Sequence, residues 1–545
     1  MGDIKMIKNR NNYIVDCTLR DGGYYNNWDF SDELINNYLY AMSSSNVKFV
    51  EIGYRSLVNK EFKGPNAYAN DYFLNDLKIP KNINIGIMLN GDEFVGKNNI
   101  QNLLCKLFPL TGDNTRVKFV RIASNLGEIK SLLEVISWLK NKGFKVFINI
   151  MKISEYTLKD FENHLPQLND YQIDSLYLAD SYGNIDLNKL ELIVSNIKYF
   201  WKGDLGIHAH DNLGLGLANT LKASSMGVRW LDSTVLGMGR GSGNAKTEEL
   251  IIEMKMFNQS KVNIAPLLAL IKTYFLPLKN KYKWGTNPFY YLAGKYSIHP
   301  TFIQIMINDS RYSEVEILKV IDYLKENERK KFSFSILQDA KNFQNSKKPG
   351  KWKPRSVFEN KEVLILGTGP GVDKYKKALI KFVEKYDPIV IAFNSQNSLP
   401  DKLISYRIGC HPVRLMADVD FHVNREEPLI APISIFNNDL KKRFINKNIL
   451  DFGLSIENDY FEFNENFCKV PKSLVIAYSL ATIASGKVSK AFMAGFDGYP
   501  DGDKRNEENN RIIELFMKYS DINLTAITPT NYNLNKKSVF GYLNQ

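Results

Sequence analysis

Two histidines two positions apart are the residues of this sequence best suited to chemistry. They lie in the stretch GIHAHDN as His208 and His210, and on a strand this spacing points both imidazoles to one face. The chain has only six histidines, which favours a shared function over a pair of buried structural side chains. With the carboxylate of Asp21 they form a mixed nitrogen and oxygen set suited to Mn²⁺, Mg²⁺, Co²⁺ or Zn²⁺. We therefore predict a divalent-metal site.

The stretch DCTLRDGG supplies the carboxylate of this set. The apolar run YIV is followed there by adjacent Arg20 and Asp21 and then by two glycines, which places charge at the end of a buried strand. The carboxyl ends of strands in a parallel barrel converge on one mouth, where active sites lie. Polar side chains end other predicted strands too, namely Arg55, Asn90, Asn149, Asp180, His208 and His210.

Eight short β-rich runs between residues 12 and 240 would position these side chains. They alternate with amphipathic segments such as SDELINNYLYAMSSS. Eight βα units in roughly 250 residues predict a TIM barrel, in preference to a doubly wound open sheet, which normally has fewer strands. The runs are YIVDCTL, VKFVEIGY, INIGIML, VKFVRIAS, FKVFINIM, SLYLAD, DLGIHAH and WLDSTVLG.

The predicted fold class is α/β, with a (β/α)8 barrel in residues 1–260 and further parts after it. Residues 261–340 have the pattern of a helical extension, and the Pro- and Lys-rich residues 341–358 that of a linker. Residues 359–545 begin with a strand, a glycine-rich turn and a helix, which predicts a separate Rossmann-like α/β domain.

Composition limits the classes of function. The net charge of +12 is spread along the chain outside the stretch KKPGKWKPR, so we expect no nucleic-acid partner and a preference for small anionic molecules. No run approaches the ~18 apolar residues of a membrane span. The four scattered cysteines do not suit a disulfide framework. We predict a cytoplasmic protein.

A glycine-rich loop, GMGRGSGNAKTEEL, follows the eighth run at the predicted mouth. Together, TLRDG, HAHDNLGLGLANT and GMGRGSGNAKTEE resemble the motifs of the DRE-TIM metallolyases. These enzymes include the 4-hydroxy-2-oxoacid aldolases, the hydroxymethylglutaryl-CoA lyases, and the isopropylmalate and homocitrate synthases. The resemblance covers about residues 10–335 and is closest to the aldolase branch.

The resemblance implies a set of roles. Asp21, His208 and His210 would bind the metal, Mn²⁺ or Mg²⁺ first, with Asn244 as an additional ligand. Arg20 would stabilise an enolate oxygen. The implied substrates are a 2-oxo acid such as pyruvate and an aldehyde, with a sugar as one candidate. The implied reaction makes or cleaves a carbon–carbon bond, in the biosynthesis of a 2-keto-3-deoxy sugar acid for a surface polysaccharide. A homo-oligomer is a further expectation.

One position departs from the aldolase pattern. Those enzymes carry a catalytic histidine three residues after the metal-binding aspartate, where this chain has Tyr24. Tyr24, Tyr25 or a metal-bound water could act as the acid or base at the aldol hydroxyl, and Tyr24 is our candidate catalytic residue. A Claisen-type condensation with an acyl-CoA and a catalytically silent binding or assembly module are the alternative functions.

The candidate substrate-binding residues are the polar ends of four strands. The arginines and Lys152 could bind a distal carboxylate or phosphate, or could form ion pairs inside the barrel. The four candidates are Arg55, Arg121, Asn149 and Asp180.

The segment VLILGTGPG in the last domain predicts a strand, a glycine turn and a helix that cradle a phosphate. Val372 replaces the third glycine of a dinucleotide fingerprint and Asn394 replaces the ribose-binding acid, which disfavours NAD. With AFMAGFDGY, residues 360–545 resemble the small bacterial sialyltransferases. This implies a nucleotide site, for a cytidine nucleotide, although no histidine follows His422; a scaffolding domain is the alternative. The residues of the implied site are Gly367, Gly369, Gly371 and Asn394.

Overall fold

The computed structural model describes residues 12–58, 62–254, 262–308, 314–325, 349–436, 438–500 and 503–543. The chain forms two compact units, Met1–Ile317 and Leu318–Gln545. Residues 341–348 of the predicted linker lie outside the described residues, and the rest of that linker contains the short helix Arg355–Phe358. In the described ranges, no helix has both the length and the apolar character needed to cross a membrane.

Eight parallel strands in the first unit close into a barrel in sequence order, which confirms the predicted TIM barrel. The strands are β1 Tyr13–Asp16, β2 Phe49–Tyr54, β3 Asn84–Asn90, β4 Val117–Ser124, β5 Lys145–Ile150, β6 Ser175–Ala179, β7 Leu205–His208 and β8 Trp230–Ser233. The helices between and after them are α1 Thr18–Gly22, α2 Asp32–Ser44, α3 Asp71–Asp76, α4 Ile100–Leu107, α5 Leu133–Asn141, α6 Leu158–His164, α7 Leu187–Phe200, α8 Gly216–Ser225 and α9 Thr247–Glu253.

The interior of the barrel changes from aromatic to charged along the strands. Phe119, Phe147 and Trp230 pack together near the amino ends of β4, β5 and β8. Since side chains on one face of a strand recur every second residue, Arg121, Asn149 and Asp232 follow them towards the carboxyl ends. The aromatic layer closes one end of the barrel, and the polar layer faces the mouth formed by the βα loops.

Further helices follow the barrel. A π-helical turn, Ile271–Phe275, joins α10 to α11. The helix α12 begins after Asn287, whose side-chain oxygen accepts hydrogen bonds from the backbone of Phe289 and Tyr290. The helices are α10 Ala265–Leu270, α11 Leu276–Tyr282, α12 Pro288–Lys295, α13 Pro300–Asn308 and α14 Glu314–Lys325.

The second unit contains a separate α/β sheet, as predicted. Its eight strands lie in the order β13 (Ile449–Asp451), β12 (Leu429–Ala431), β11 (Tyr406–Ile408), β10 (Ile389–Phe393), β9 (Glu362–Leu366), β17 (Lys490–Ala494), β18 (Leu524–Ala526) and β19 (Asn535–Lys536). All the paired strands of this sheet are parallel. The chain leaves β9 first to one side and later returns to the other, which is the doubly wound arrangement. Three further strands, β14 (Gly453–Ile456), β15 (Glu462–Phe463) and β16 (Phe467–Val470), form a second sheet.

The elements of this unit have the following bounds. The strands are β9 Glu362–Leu366, β10 Ile389–Phe393, β11 Tyr406–Ile408, β12 Leu429–Ala431, β13 Ile449–Asp451, β14 Gly453–Ile456, β15 Glu462–Phe463, β16 Phe467–Val470, β17 Lys490–Ala494, β18 Leu524–Ala526 and β19 Asn535–Lys536. The helices are α15 Arg355–Phe358, α16 Gly371–Lys374, α17 Lys376–Tyr386, α18 Pro412–Ala417, α19 Val419–Val423, α20 Asn438–Arg443, α21 Val475–Ser485, α22 Lys504–Tyr519 and α23 Val539–Leu543.

Candidate metal centre

The carboxyl ends of β1 and β7 bring the three predicted metal ligands together. Asp21 lies in α1, shortly after β1, His208 is the last residue of β7, and His210 follows two positions later. One potential ligand atom from each side chain lies within 4.8 Å of the other two. The structure therefore places these side chains around a single point in the mouth of the barrel.

The surroundings of the three side chains orient His208 and favour the metal-binding forms of Asp21 and His210. His208 Nδ1 lies 2.9 Å from Asp232 Oδ2, a contact that orients the ring and leaves Nε2 on the side of Asp21. Burial, and then His208, lower the pKa of His210 to about 3, so this imidazole is neutral at neutral pH. Burial raises the pKa of Asp21, but Arg20 and His208 outweigh it and hold the value well below its usual range.

Two buried atoms that lack hydrogen-bond partners indicate whether a divalent metal fits this site. His210 Nδ1 and Asn244 Oδ1 accept no hydrogen bond from any described residue. Asn244 Nδ2 donates to Asp21 Oδ2 at 2.5 Å, which keeps the amide beside the cluster. Buried acceptors are normally satisfied, and imidazole, carboxylate and amide oxygen are common ligands of divalent metals. The donor set therefore fits a divalent cation.

A second group of potential ligands, Cys17, His208 and Asp232, shares one histidine with the first. Arg121 occupies the space beside it, because its Nη1 contacts Asp232 Oδ2 at 2.5 Å and its Nη2 lies 4.0 Å from Cys17 Sγ. A guanidinium in this place repels a cation. The geometry thus favours the metal at Asp21, His208 and His210.

Two hydrogen bonds fix Arg20 beside Asp21, and a third nitrogen of its guanidinium remains available as a donor. Its Nη1 donates to Asp21 Oδ1 at 2.7 Å and its Nε donates to Glu51 Oε2 at 2.7 Å. Its Nη2 donates to none of the residues described by the structure. A buried guanidinium with a spare donor next to a metal ligand is suited to bind an oxygen that carries negative charge.

Arg20 and His208 belong to a closed ring of buried charged and polar groups, which we call the charged ring. Glu51 joins Arg20 to Arg121, with Oε1 at 3.0 Å from Arg121 Nε. Arg121 contacts Asp232, which in turn contacts His208. His208 Nε2 closes the ring at 3.6 Å from Asp21 Oδ2. The ring fixes the ligands and Arg20 relative to one another. Its members are Arg20, Asp21, Glu51, Arg121, His208 and Asp232.

Replacing Glu51 by glutamine is expected to destabilise the barrel by about 3–5 kcal/mol, because two buried guanidinium groups lose their shared carboxylate. Unfolding in urea followed by tryptophan fluorescence measures this change, since five of the six tryptophans precede residue 300. The matched control is Glu162→Gln in the exposed pair with Lys159, which is expected to cost less than about 1 kcal/mol. Equal losses in both variants would contradict a structural role for the ring.

Two tyrosines, one of them not found by sequence analysis, lie together at the mouth. The hydroxyl of Tyr24 is 3.0 Å from that of Tyr54, the last residue of β2. Burial, and then Tyr24, raise the pKa of Tyr54, which keeps its proton at neutral pH. Tyr25 instead donates to the carbonyl of Gly239 at 3.0 Å. Tyr24 therefore has a partner for proton transfer, whereas Tyr25 fixes the glycine-rich loop.

The donors of Arg55, a candidate substrate-binding residue, are used within the protein, which agrees with the ion-pair alternative. Nε and Nη1 donate to the carbonyls of Ala69 and Leu107, and Nη2 contacts Asp71 at 3.0 Å. The guanidinium also lies 5.0 Å from the ring centre of Phe108. Arg55 therefore holds surrounding segments together.

Two further predicted substrate contacts also have structural partners. Arg121 is fully buried in the charged ring, so the ion-pair alternative applies to it. The carboxylate of Asp180 accepts hydrogen bonds from the backbone of Asn184 and Ile185 and closes the turn after β6. Burial raises the pKa of Asp180 to about 6. Asn149 differs from both, because its buried Oδ1 has no hydrogen-bond partner among the described residues.

The glycine turn of the second unit does not form the predicted phosphate cradle. The backbone N–H groups of Gly367 and Gly369 donate to the carbonyls of Ala494 and Gly495. That of Gly371 donates to the carboxylate of Asp497 at 3.1 Å, and this negative charge would repel a phosphate. Asn394 follows β10 with a φ of 46°. Binding of a cytidine nucleotide stays a prediction.

The barrel sequence is similar to those of several known proteins. The model of the HMGL-like family matches residues 117–273. An oxaloacetate decarboxylase of Mycobacterium tuberculosis is 23% identical over 244 residues, which cover 44% of this chain and 69% of that protein. The 4-hydroxy-2-oxovalerate aldolase 4 of Rhodococcus opacus is 28% identical over 190 residues, 34% of this chain. This chain spans about half of that aldolase, 55% of its length.

Among solved structures, the N-terminal domain of a candidate aldolase from Bacteroides vulgatus is 32% identical. That alignment has a TM-score of 0.49 and covers 56% of this chain and 99% of the other. The family-model match itself includes His208, His210 and Asn244, three of the residues that surround the candidate metal position. The barrel of this chain belongs to the HMGL-like family, that is, to the DRE-TIM metallolyases.

Proposed function

We propose that the barrel is a divalent-metal-dependent aldolase that acts through the enolate of a pyruvate-type 2-oxo acid, with Mn²⁺ or Mg²⁺ as the metal. One observation carries this proposal: Asp21, His208 and His210 surround one point, and Arg20 lies beside it with a spare donor. The metal, held by these three side chains and Asn244, would act as a Lewis acid towards the 2-oxo group.

Arg20 has the central role among the protein's own groups. In the cleavage direction the bond between C3 and C4 breaks, and its electron pair forms the C2–C3 double bond of the enolate. The spare Nη2 of Arg20 is suited to stabilise the negative charge that develops on the C2 oxygen. Its contacts with Asp21 and Glu51 hold the guanidinium in place, so it need not reorganise during the reaction.

Tyr24 is the proposed acid or base at the C4 hydroxyl. In cleavage it accepts the hydroxyl proton as the aldehyde forms, and in condensation it returns that proton. Tyr54, at 3.0 Å, can donate a hydrogen bond to the Tyr24 oxygen and so hold that oxygen in place. This pair would take the place of the histidine found in the aldolases that the sequence resembles.

The acceptor in this proposal is an aldehyde. A sugar aldehyde would give a 2-keto-3-deoxy sugar acid, of the kind used in surface polysaccharides. The alternative is a Claisen-type condensation, in which an acyl-CoA reacts with the same enolate. Release of free CoA during turnover would distinguish that reaction from the aldol reaction.

The proposal predicts that the full-length protein exchanges the methyl protons of pyruvate with solvent deuterium when Mn²⁺ or Mg²⁺ is supplied. Exchange reports enolate formation alone, so it requires no knowledge of the acceptor. Proton NMR of pyruvate in D₂O measures the rate, and chelator-treated protein is the control. A folded, metal-loaded protein that leaves the methyl protons unexchanged would refute the enolate mechanism.

A further inference from the structure

One charged side chain at the mouth forms no ion pair with any described residue. Arg240 lies in the loop GMGRGSGN after β8 and is half-buried. Its guanidinium forms no hydrogen bond or salt bridge with the described residues. Its Cζ lies 4.0 Å from the centre of the Tyr24 ring. Guanidinium groups taken out of water are normally paired. Arg240 therefore has donors available to a ligand.

Arg240 lies close to the candidate metal position. The preceding residue, Gly239, packs so tightly on the cluster that an added Cβ would come within 2.9 Å of Asp21 Oδ2 and 2.4 Å of Asn244 Nδ2. Tyr24, under the guanidinium, is the proposed acid or base. Burial, and then Arg240 and His210, lower the pKa of His299 to about 3, so this neighbour in the mouth is neutral. Arg240 is thus on the side of the site where bond cleavage is proposed.

The charges of the site leave room for a dianionic substrate. The charged ring contains two arginines and three carboxylates, and His208 is neutral when it binds a metal. Arg240 brings the sum to zero, and a divalent cation then makes it positive by two. The carboxylate of a 2-oxo acid balances one of these charges, and a second anionic group on the substrate would balance the other.

From these observations we infer that Arg240 binds a second anionic group, carboxylate or phosphate, at the end of the substrate remote from the 2-oxo acid. This inference rests on the proposed function, because it takes the 2-oxo acid end to lie at the metal. The guanidinium fork matches both anions in a bidentate manner. The substrate class is then a 4-hydroxy-2-oxo acid with an anionic tail, and the acceptor is an anionic aldehyde.

Three analogues that cannot be cleaved test the inference by calorimetry on the Mn²⁺-loaded full-length protein. They are 2-oxohexanoate, 2-oxoadipate and 2-oxohexanoate with a 6-phosphate, which lack the 4-hydroxyl and differ only in their tails. We expect at least one charged analogue to bind about 10- to 100-fold more tightly than the neutral one, as charge-assisted hydrogen bonds predict. Which charged analogue binds more tightly identifies the tail as carboxylate or phosphate.

Variants assign this preference to Arg240. Arg240→Gln is expected to remove it, and Arg240→Lys to keep part of it, because lysine retains the charge without the fork. Arg229→Gln is the matched control, since Arg229 pairs with Asp204 next to the amino end of β8, and should keep the full preference. Equal binding of the three analogues to the wild-type protein would overturn the inference, as would an undiminished preference in Arg240→Gln. Failure of pyruvate exchange would instead refute the proposed function.

Discussion

Replacing His210 by alanine is expected to remove the bound divalent metal and to abolish pyruvate proton exchange. His208→Ala and Asp21→Asn should have the same effect. Among the described residues, one Asp and two His side chains surround the proposed metal position, with Asn244 beside them. Loss of one leaves too few ligands to hold a labile cation. Elemental analysis of the purified variants measures metal content directly, and NMR in D₂O measures exchange.

The control for these variants is His164→Ala, at the end of α6. It removes an imidazole that lies outside the cluster, so metal content and exchange should stay at the wild-type level. Thermal unfolding of each variant tests whether a loss of metal merely follows a loss of fold. Full metal occupancy in all three cluster variants would show that the metal, if present, binds elsewhere.

The barrel strands and the candidate metal ligands could be predicted from the sequence, because both follow from local periodicity. Apolar runs of strand length at regular spacing define the barrel, and a spacing of two places His208 and His210 on one face. Asp21 was accessible because charge follows a buried run. Asn244 was indicated only by the resemblance of the segment GMGRGSGNAKTEE to the family motif.

The directions of Tyr54 and Arg55 at the end of β2 differ from those that strict strand alternation predicts, and the cause is a shift in register. Glu51 points into the barrel, and strict alternation would send residues 53 and 55 the same way. The pairing of β2 with β3 shifts its register between Glu51 and Gly53, which is the effect of a β-bulge. Tyr54 therefore meets Tyr24 at the mouth, whereas Arg55 contacts Phe108 and Asp71. One sequence does not reveal a bulge, so the sequence pointed to Arg55 and not to Tyr54 at this strand end.

Ion pairs and hydrogen bonds between residues far apart in the chain could not be predicted from the sequence either. Glu51 and Asp232 could have been noticed as charges within apolar runs, but their link through Arg121 joins three strands that are far apart in sequence. The glycine turn after β9 shows the converse case. Its sequence fits a phosphate cradle. The N–H group of Gly371 nevertheless donates its hydrogen bond to Asp497, more than a hundred residues later in the chain. The sequence of a turn alone does not indicate which acceptor binds its N–H groups.

Arg20→Lys is expected to reduce kcat by about 10²–10³, the usual effect of losing one donor to a developing oxyanion. The guanidinium uses Nη1 for Asp21 and Nε for Glu51, which leaves Nη2 for the substrate. A lysine ammonium is a single point charge and cannot hold both carboxylates and a third oxygen in this fixed geometry. The positive charge is kept beside Asp21, so metal content should be unchanged, and exchange kinetics at saturating pyruvate measure the effect.

Arg229→Lys is the matched control, because its pair with Asp204 lies next to the amino end of β8, and its kcat should equal that of the wild type. Elemental analysis and thermal unfolding of Arg20→Lys separate a loss of turnover from a loss of metal or fold. If Arg20→Lys is folded, metal-loaded and as fast as the wild type, Arg20 acts only within the charged ring. The enolate oxygen would then need another donor. Asn149 is the candidate among the predicted residues, because its buried Oδ1 has no described partner and a rotated amide would present its N–H₂ group instead.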